Sequence, residues 1–187
     1  VPEEMQMGVI FAGFGGQGVL LSGQLLALAA LEQGLEAAWI PSYGPEMRGG
    51  TAHAMVTIAD SDIGCPVVDE PDALVVFNTP ALARFGPKVK TAGLVVADAD
   101  LVDGSVFKGG ADFLELPATT LAASLGAVKS ANMLLLGALA ARTGPIKPDS
   151  FLSALEKMFQ GERGRFLQPN RRAFEQGWAY ISPALAQ

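Results

Sequence analysis

Apolar residues along this chain fall into short runs separated by glycine-rich or acidic blocks. Residues 7–12, 37–40, 72–78, 93–97 and 112–116 are each four to seven residues long and mostly apolar, the length and pattern of strands buried on both faces. Residues 51–59 alternate well enough for a strand. Between them lie stretches with helical spacing at 16–33, 79–85, 118–126, 131–143, 149–159 and 171–180. The first carries Val19, Leu20, Leu21, Leu25, Leu26, Leu28 and Leu31 around most of its circumference, so it is buried on more than one side. Gly34, Gly86-Pro87 and Gly144-Pro145 stand where three of these helices should stop. Asp149 is read as the cap that opens the fifth.

Strands alternating with helices predict an α/β fold with a mostly parallel sheet and helices on both faces. The opening order is strand, glycine turn, helix, strand. It reads as a βαβ unit, with 7–12 paired in parallel to 37–40 through a right-handed crossover. No repeat, low-complexity linker or compositional step divides the 187 residues, so one domain over 1–187 is expected.

Composition narrows the function. Half the residues are hydrophobic and only 17% are charged, which is apolar for a free-standing monomer and points to a subunit interface. A net charge of −6 argues against nucleic-acid binding, which needs a basic face. The single cysteine, Cys65, excludes an internal disulfide and a self-contained four-thiolate cluster. A reducing, cytoplasmic location follows as the expectation. The start, Val1-Pro2-Glu3-Glu4, is acidic and unlike a secretory signal, and no apolar run is long enough for a bilayer.

Two glycine blocks carry the candidate chemistry. Gly13-Phe14-Gly15-Gly16-Gln17-Gly18 has the spacing of the dinucleotide fingerprint, in which glycines permit a tight turn and close phosphate approach at a helix N-terminus. The acid that should close the second strand and hold the ribose is missing, because that strand ends in Pro41-Ser42-Tyr43. Three readings stay open: a dinucleotide, a tight turn with no ligand, or a phosphate-bearing ligand shared with another chain. The second block, Tyr43-Gly44-Pro45-Glu46-Met47-Arg48-Gly49-Gly50, forms neither a good strand nor a good helix. Gly49 and Gly50 allow a backbone to approach another molecule, and Arg48 suits a carboxylate or phosphate. Both blocks follow strands and are expected on one edge of the sheet.

Other polar residues have plainer readings. His53, the only histidine, is read as a packed strand residue, and Cys65 as a buried, inert thiol. Lys129, Ser130 and Asn132 open an apolar helix, either as caps or as polar groups at a site edge. Asp98 and Asp100 are either an acid–base pair or turn-formers. Arg163, Arg165, Arg171 and Arg172 are either a solvated face or a phosphate grip on a mobile loop containing Gly161 and Gly164. No metal-ligand spacing and no nucleophile elbow is present.

Taken in order, the first block and then Pro41-Ser42-Tyr43-Gly44-Pro45-Glu46-Met47-Arg48-Gly49-Gly50 resemble the gamma subunit of 2-oxoacid:ferredoxin oxidoreductases. The likeness continues through Ile63-Gly64-Cys65-Pro66, Asp72-Ala73-Leu74, Asn132-Met133, Leu136-Gly137-Ala138-Leu139 and residues 170–177. It implies a Rossmann-like chain that packs on alpha and beta companions, with a ferredoxin-like delta chain as a further candidate and ferredoxin as the acceptor of the holoenzyme. Thiamine diphosphate, magnesium and iron–sulfur clusters would sit on those companions. This chain would hold no cofactor alone but would share a coenzyme A site. It would be inactive in isolation, where a homodimer is a candidate state. The wording around Tyr43 looks more like the 2-oxoglutarate type than the pyruvate type. The residues this implies for the shared site are Gly13, Gly15, Gly16, Gln17, Gly18, Tyr43, Gly44, Glu46, Arg48, Gly49, Gly50 and Asn132, with Arg48 as the anion contact and Glu46 orienting it. The rival readings are a structural scaffold subunit and a free NAD-dependent reductase.

Overall fold

The computed structural model describes residues 5–43 and 51–182. Its centre is a six-stranded sheet of β1 (Gln6–Phe14), β2 (Glu36–Tyr43), β3 (Thr51–Ala59), β4 (Ala73–Val76), β5 (Leu94–Asp98) and β6 (Asp112–Leu116), in the order β2-β3-β1-β4-β5-β6. β1, β4, β5 and β6 pair in parallel, and the near-continuous apolar runs of β1, β4 and β5 fit strands buried on both faces.

One expectation of the βαβ reading is corrected. β2 runs in the same direction as β1 but does not pair with it. β3 lies between them and is antiparallel to both, with Ala12 opposite His53 and His53 opposite Ser42. The alternation in 51–59 carries the reason. Ala52, Ala54, Val56 and Ile58 are all buried on one face, and the strand finds hydrogen-bond partners on both sides only in an interior position.

Helices cover the two faces unequally. α1 (Val19–Glu32), α3 (Ala118–Ser124), α4 (Ala131–Thr143), α5 (Pro148–Met158) and α6 (Leu167–Ile181) pack on the first face with Val9, Phe11, Val56, Val75 and Val96. On the second face, among the described residues, α2 (Thr79–Phe85) is the one α-helix, and with Val68, Val102, Val89 and Phe107 from the connecting segments it lies over Ile10, Leu74, Val76 and Val95. α4 is buried from Asn132 to Ala140, so its apolar residues need no polar stripe. It crosses α6 where Gly137 faces the Phe174 carbonyl and Gly177 faces the Leu134 carbonyl. A side chain at either glycine would collide with backbone.

Several boundaries differ from the sequence reading; α1, for one, starts at Val19 and not at Gly16, which stays in the turn. α5 starts at Pro148 with Lys147 at the cap position, and Asp149 sits in the first turn, where its charge favours the helix dipole. α6 starts at Leu167, because Pro169 is tolerated in a first turn that needs no N–H there. The segment read as a mobile loop is a 3-10 turn, Gly161–Phe166, leading directly into α6.

Candidate functional site

β1 delivers the first glycine block to the carboxyl end of the parallel strands, where ligands collect in open α/β sheets. Gly13 pairs with Ala52, and Ala52 with Tyr43, so the end of β2 lies on the same edge with β3 between. Gly44, Glu46, Arg48, Gly49 and Gly50 lie outside the described residues, as does the side chain of Tyr43.

Inside the turn, Gly13, Phe14, Gln17 and Gly18 each have a contact. Gly16 and Gly18 have φ of 96° and 80°, a region costly for residues with a Cβ. Gly13 is buried, and a methyl group there would lie 2.6 Å from Gln17 Oε1 and 2.8 Å from Phe77 Cβ. Gln17 folds back beneath the turn. Its Oε1 accepts from the Phe14 N–H at 2.7 Å and from Asn78 Nδ2 at 3.1 Å, and its Nε2 donates to the Phe77 carbonyl at 2.9 Å. Gln17 is thus spent on holding β1, the turn and the end of β4 together. Gly18 is the N-cap of α1 and offers no side chain to the first-turn N–H groups. Gly15 and Gly16 are exposed. What faces outward is backbone, a geometry suited to an anion.

Asn132 supports this turn from below. Its Nδ2 donates to the Gly18 carbonyl at 3.4 Å and to Ser22 Oγ at 3.3 Å, and a methyl group on Gly18 would stand 2.5 Å from the same nitrogen. Ser130 makes no capping bond. Its hydroxyl donates to Asn170 Oδ1 at 2.7 Å, joining α4 to α6. Lys129 is exposed.

The neighbouring recess at this edge is formed by β3 and α2. Asn78 caps α2 by accepting from the Ala81 N–H at 2.9 Å. Gly13, Thr51, His53, Asn78, Arg84 and Phe85 line a cavity of about 30 Å³. The His53 and Phe85 rings are 5.1 Å apart, with the Arg84 guanidinium 4.9 Å and the Lys88 ammonium 5.9 Å from the Phe85 centroid. Burial first, then Arg84 and Lys88, push the His53 pKa below its ordinary value. His53 is packed, as read from the sequence, but among cations. Sequence reasoning missed this grouping, since Arg84 and Lys88 lie over thirty residues from His53. Sequence reasoning places Asn78 only at the end of the strand run 72–78; an Asn before Thr-Pro is the helix-start signal that could have found its role.

The remaining candidates resolve into structure. Asp98 is buried. It accepts from Thr119 Oγ1 at 2.6 Å and from the Asp100 N–H at 3.1 Å, while Asp100 accepts from the Thr120 N–H at 2.7 Å and Oγ1 at 3.0 Å. The two acids satisfy the first turn of α3, which is the turn-forming reading and not an acid–base pair. The arginines do not act as one group: Arg171 pairs with Glu175 at 2.9 Å and with Glu156 at 3.8 Å. Cys65 is exposed, contrary to the buried thiol expected, because 60–72 runs over the surface between β3 and β4. Among the described residues, no helix is long and apolar enough to cross a membrane, and no three His, Cys, Asp or Glu side chains are grouped to hold a metal.

Comparison with known proteins adds family context. The sequence profile of the pyruvate ferredoxin/flavodoxin oxidoreductases matches residues 8–180. The chain is 39% identical to ketoisovalerate oxidoreductase subunit VorA of Methanothermobacter thermautotrophicus over 95% of its own length, but spans only 37% of VorA. It is 33% identical to 2-oxoglutarate synthase subunit KorC of Methanocaldococcus jannaschii over 94% of both chains. Among solved structures, the gamma subunit of the keto/oxoacid ferredoxin oxidoreductase of Geobacter sulfurreducens aligns with TM-score 0.79 and 28% identity, over 97% of this chain and 99% of that one. The 2-oxoglutarate:ferredoxin oxidoreductase of Magnetococcus marinus, solved with 2-oxoglutarate, coenzyme A and succinyl-CoA bound, aligns with TM-score 0.84 and 27% identity. This alignment covers 97% of the present chain and 32% of that one. The glycine turn, its support from Asn132 and nearly every element of the sheet and helices fall within the matched span, and the chain belongs to the pyruvate ferredoxin/flavodoxin oxidoreductase family.

Proposed function

We propose that this chain is the gamma subunit of a 2-oxoacid:ferredoxin oxidoreductase and contributes the Gly13–Gly18 turn to a coenzyme A site shared with its companions. The observation that carries this reading is its likeness, over 97% of its length, to part of an enzyme solved with coenzyme A and succinyl-CoA bound. The donor set fits such a ligand. Gly15, Gly16 and Gly18 would hold a phosphate through backbone N–H groups at the start of α1, whose dipole favours an anion. Coenzyme A supplies the thiol that accepts the acyl group. Thiamine diphosphate and iron–sulfur clusters belong to the companion chains in this reading, consistent with a single cysteine here. Arg48 is proposed as a further anion contact from the second block, oriented by Glu46, and one domain over 1–187 as the unit. The 2-oxoglutarate type is favoured by the sequence around Tyr43, while relatives named for 2-oxoglutarate and for ketoisovalerate both match.

The test is anaerobic affinity purification of the tagged chain from its native host, read by native mass. Co-purified thiamine-binding chains and oxoacid- and coenzyme-A-dependent dye reduction are expected, with 2-oxoglutarate turned over faster than the branched 2-oxoacid. A chain that emerges alone after gentle cross-linking overturns the reading. In the assembled enzyme, Arg48→Ala should raise the KM for coenzyme A about 10- to 100-fold, the loss of one charge-assisted contact. The scaffold reading has support of its own, because Gln17 and Asn132 point inward and serve the fold. It predicts weaker assembly from changes in this edge but unaltered coenzyme A kinetics.

A further inference from the structure

The donors that the glycine turn turns outward are backbone groups, so their aim depends on the backbone alone. Among the described residues, the N–H groups of Gly15, Gly16 and Gly18 have no backbone acceptor. Glycine has more conformational freedom to lose than any other residue. A turn with three glycines holds an anion well only when it is fixed beforehand, because ordering it on binding costs affinity.

Gln17 fixes it from two sides. Its N–H donates to the Phe14 carbonyl at 3.2 Å, and its Oε1 accepts from the Phe14 N–H at 2.7 Å. Main chain and side chain thus close the turn on the same residue. Its Nε2 donates to the Phe77 carbonyl at 2.9 Å, and the Phe77 N–H in turn donates to the Ala12 carbonyl of β1 at 3.0 Å. An N–H only donates and a carbonyl only accepts, so the amide has one orientation, and neither a carboxylate nor an apolar side chain satisfies both ends. Asn78 extends the arrangement. It is buried, its Nδ2 donates to Gln17 Oε1 at 3.1 Å, and its Oδ1 caps α2 by accepting from the Ala81 N–H at 2.9 Å. The turn after β1 is thereby tied to the start of α2.

We infer that Gln17 is a positioning residue for the shared coenzyme A site, setting the aim of the turn's N–H groups, and that Asn78 acts on the turn through Gln17. The inference rests on the shared-site reading of the gamma subunit. It separates Gln17 from the polar links that serve the fold alone, because its loss is felt by one ligand of the enzyme.

The experiment uses the complex purified from its host and steady-state kinetics on the fraction that assembles. Gln17→Met keeps the length of the side chain and removes the amide. It is expected to raise the KM for coenzyme A about tenfold, with kcat within about twofold of wild type and the KM for the 2-oxoacid unchanged. Asn78→Ser keeps a cap for α2 but loses the donation to Gln17, and should raise the KM for coenzyme A about threefold with the same split. The double variant should go no further than Gln17→Met alone, since the Asn78 amide reaches the turn only through Gln17 Oε1. A role in the fold alone would lower the yield of complex and leave the KM for coenzyme A unchanged in what assembles, and that result would overturn the inference. Equal rises in both KM values would overturn it too, and additive effects in the double variant would overturn the coupling of Asn78 through Gln17. Should Gln17→Met not fold, Asn78→Ser alone carries the test, and an unchanged KM for coenzyme A in that variant overturns the inference. A wild-type complex whose turnover does not depend on coenzyme A would instead overturn the shared-site reading, whatever the variants do.

Discussion

At Gly18 the same residue serves backbone and packing at once. Its φ of 80° disfavours any Cβ, and Asn132 occupies the space a methyl group would take. Gly18→Ala should therefore cost about 2–3 kcal/mol, most of it the left-handed backbone, read as a lowered urea midpoint. Gly16 has a similar φ but nothing within 4 Å, so its requirement is backbone alone. His53 gives a pH signature. Its pKa is lowered in the folded chain, so folding favours the neutral ring. That stability is fully present above the ordinary histidine value near 6.5 and is lost as pH falls from there through the folded pKa. Wild type should lose more stability than His53→Asn between pH 7.5 and pH 5, measured by urea unfolding at each pH. Parallel loss in both proteins would mean that His53 is not the group responsible.

The elements hold together by contacts that no local pattern announces. α4 and α6 come close enough that Gly137 and Gly177 meet the opposite backbone. Gly177→Ala should force the helices apart and cost about 1–3 kcal/mol or more by overpacking, with a matching drop in thermal midpoint. A variant as stable as wild type would show that this crossing relaxes freely. The helices on the first sheet face are also tied by polar links: Ser130 to Asn170, Asn132 to Ser22, and Gln33 Nε2 to the Pro145 carbonyl at 2.6 Å. Helix limits were legible where glycine or proline interrupts an apolar run, as α2 and α4 show, because those residues act through their own dihedrals. The start of α6 was not, since a proline in a first turn looks the same in sequence as a proline in a loop.

For the whole molecule, the proposed assembly assigns the redox chemistry to companion chains, consistent with the single cysteine of this one. The isolated chain should show no oxoacid-dependent dye reduction even with thiamine diphosphate and coenzyme A supplied, and activity should return on mixing with its companions. Turnover by the chain alone would contradict that division of labour. The candidate site was legible as a glycine turn at a strand end, because a strand followed by closely spaced glycines can do little else. Its supports were not, since Gln17 and Asn132 are polar residues whose inward direction depends on Phe77 and Gly18, neighbours that folding brings beside them.

The strands, most helix limits and the glycine turn were settled by sequence alone, because period, chain stops and φ preference act within a few residues. Only the tertiary structure decided that β3 enters between β1 and β2, that among the described residues five α-helices crowd one face and one serves the other, and that His53, Arg84 and Lys88 meet around Phe85. Each of these depends on which distant surface removes the most apolar area from water, and that choice is made by the whole chain at once.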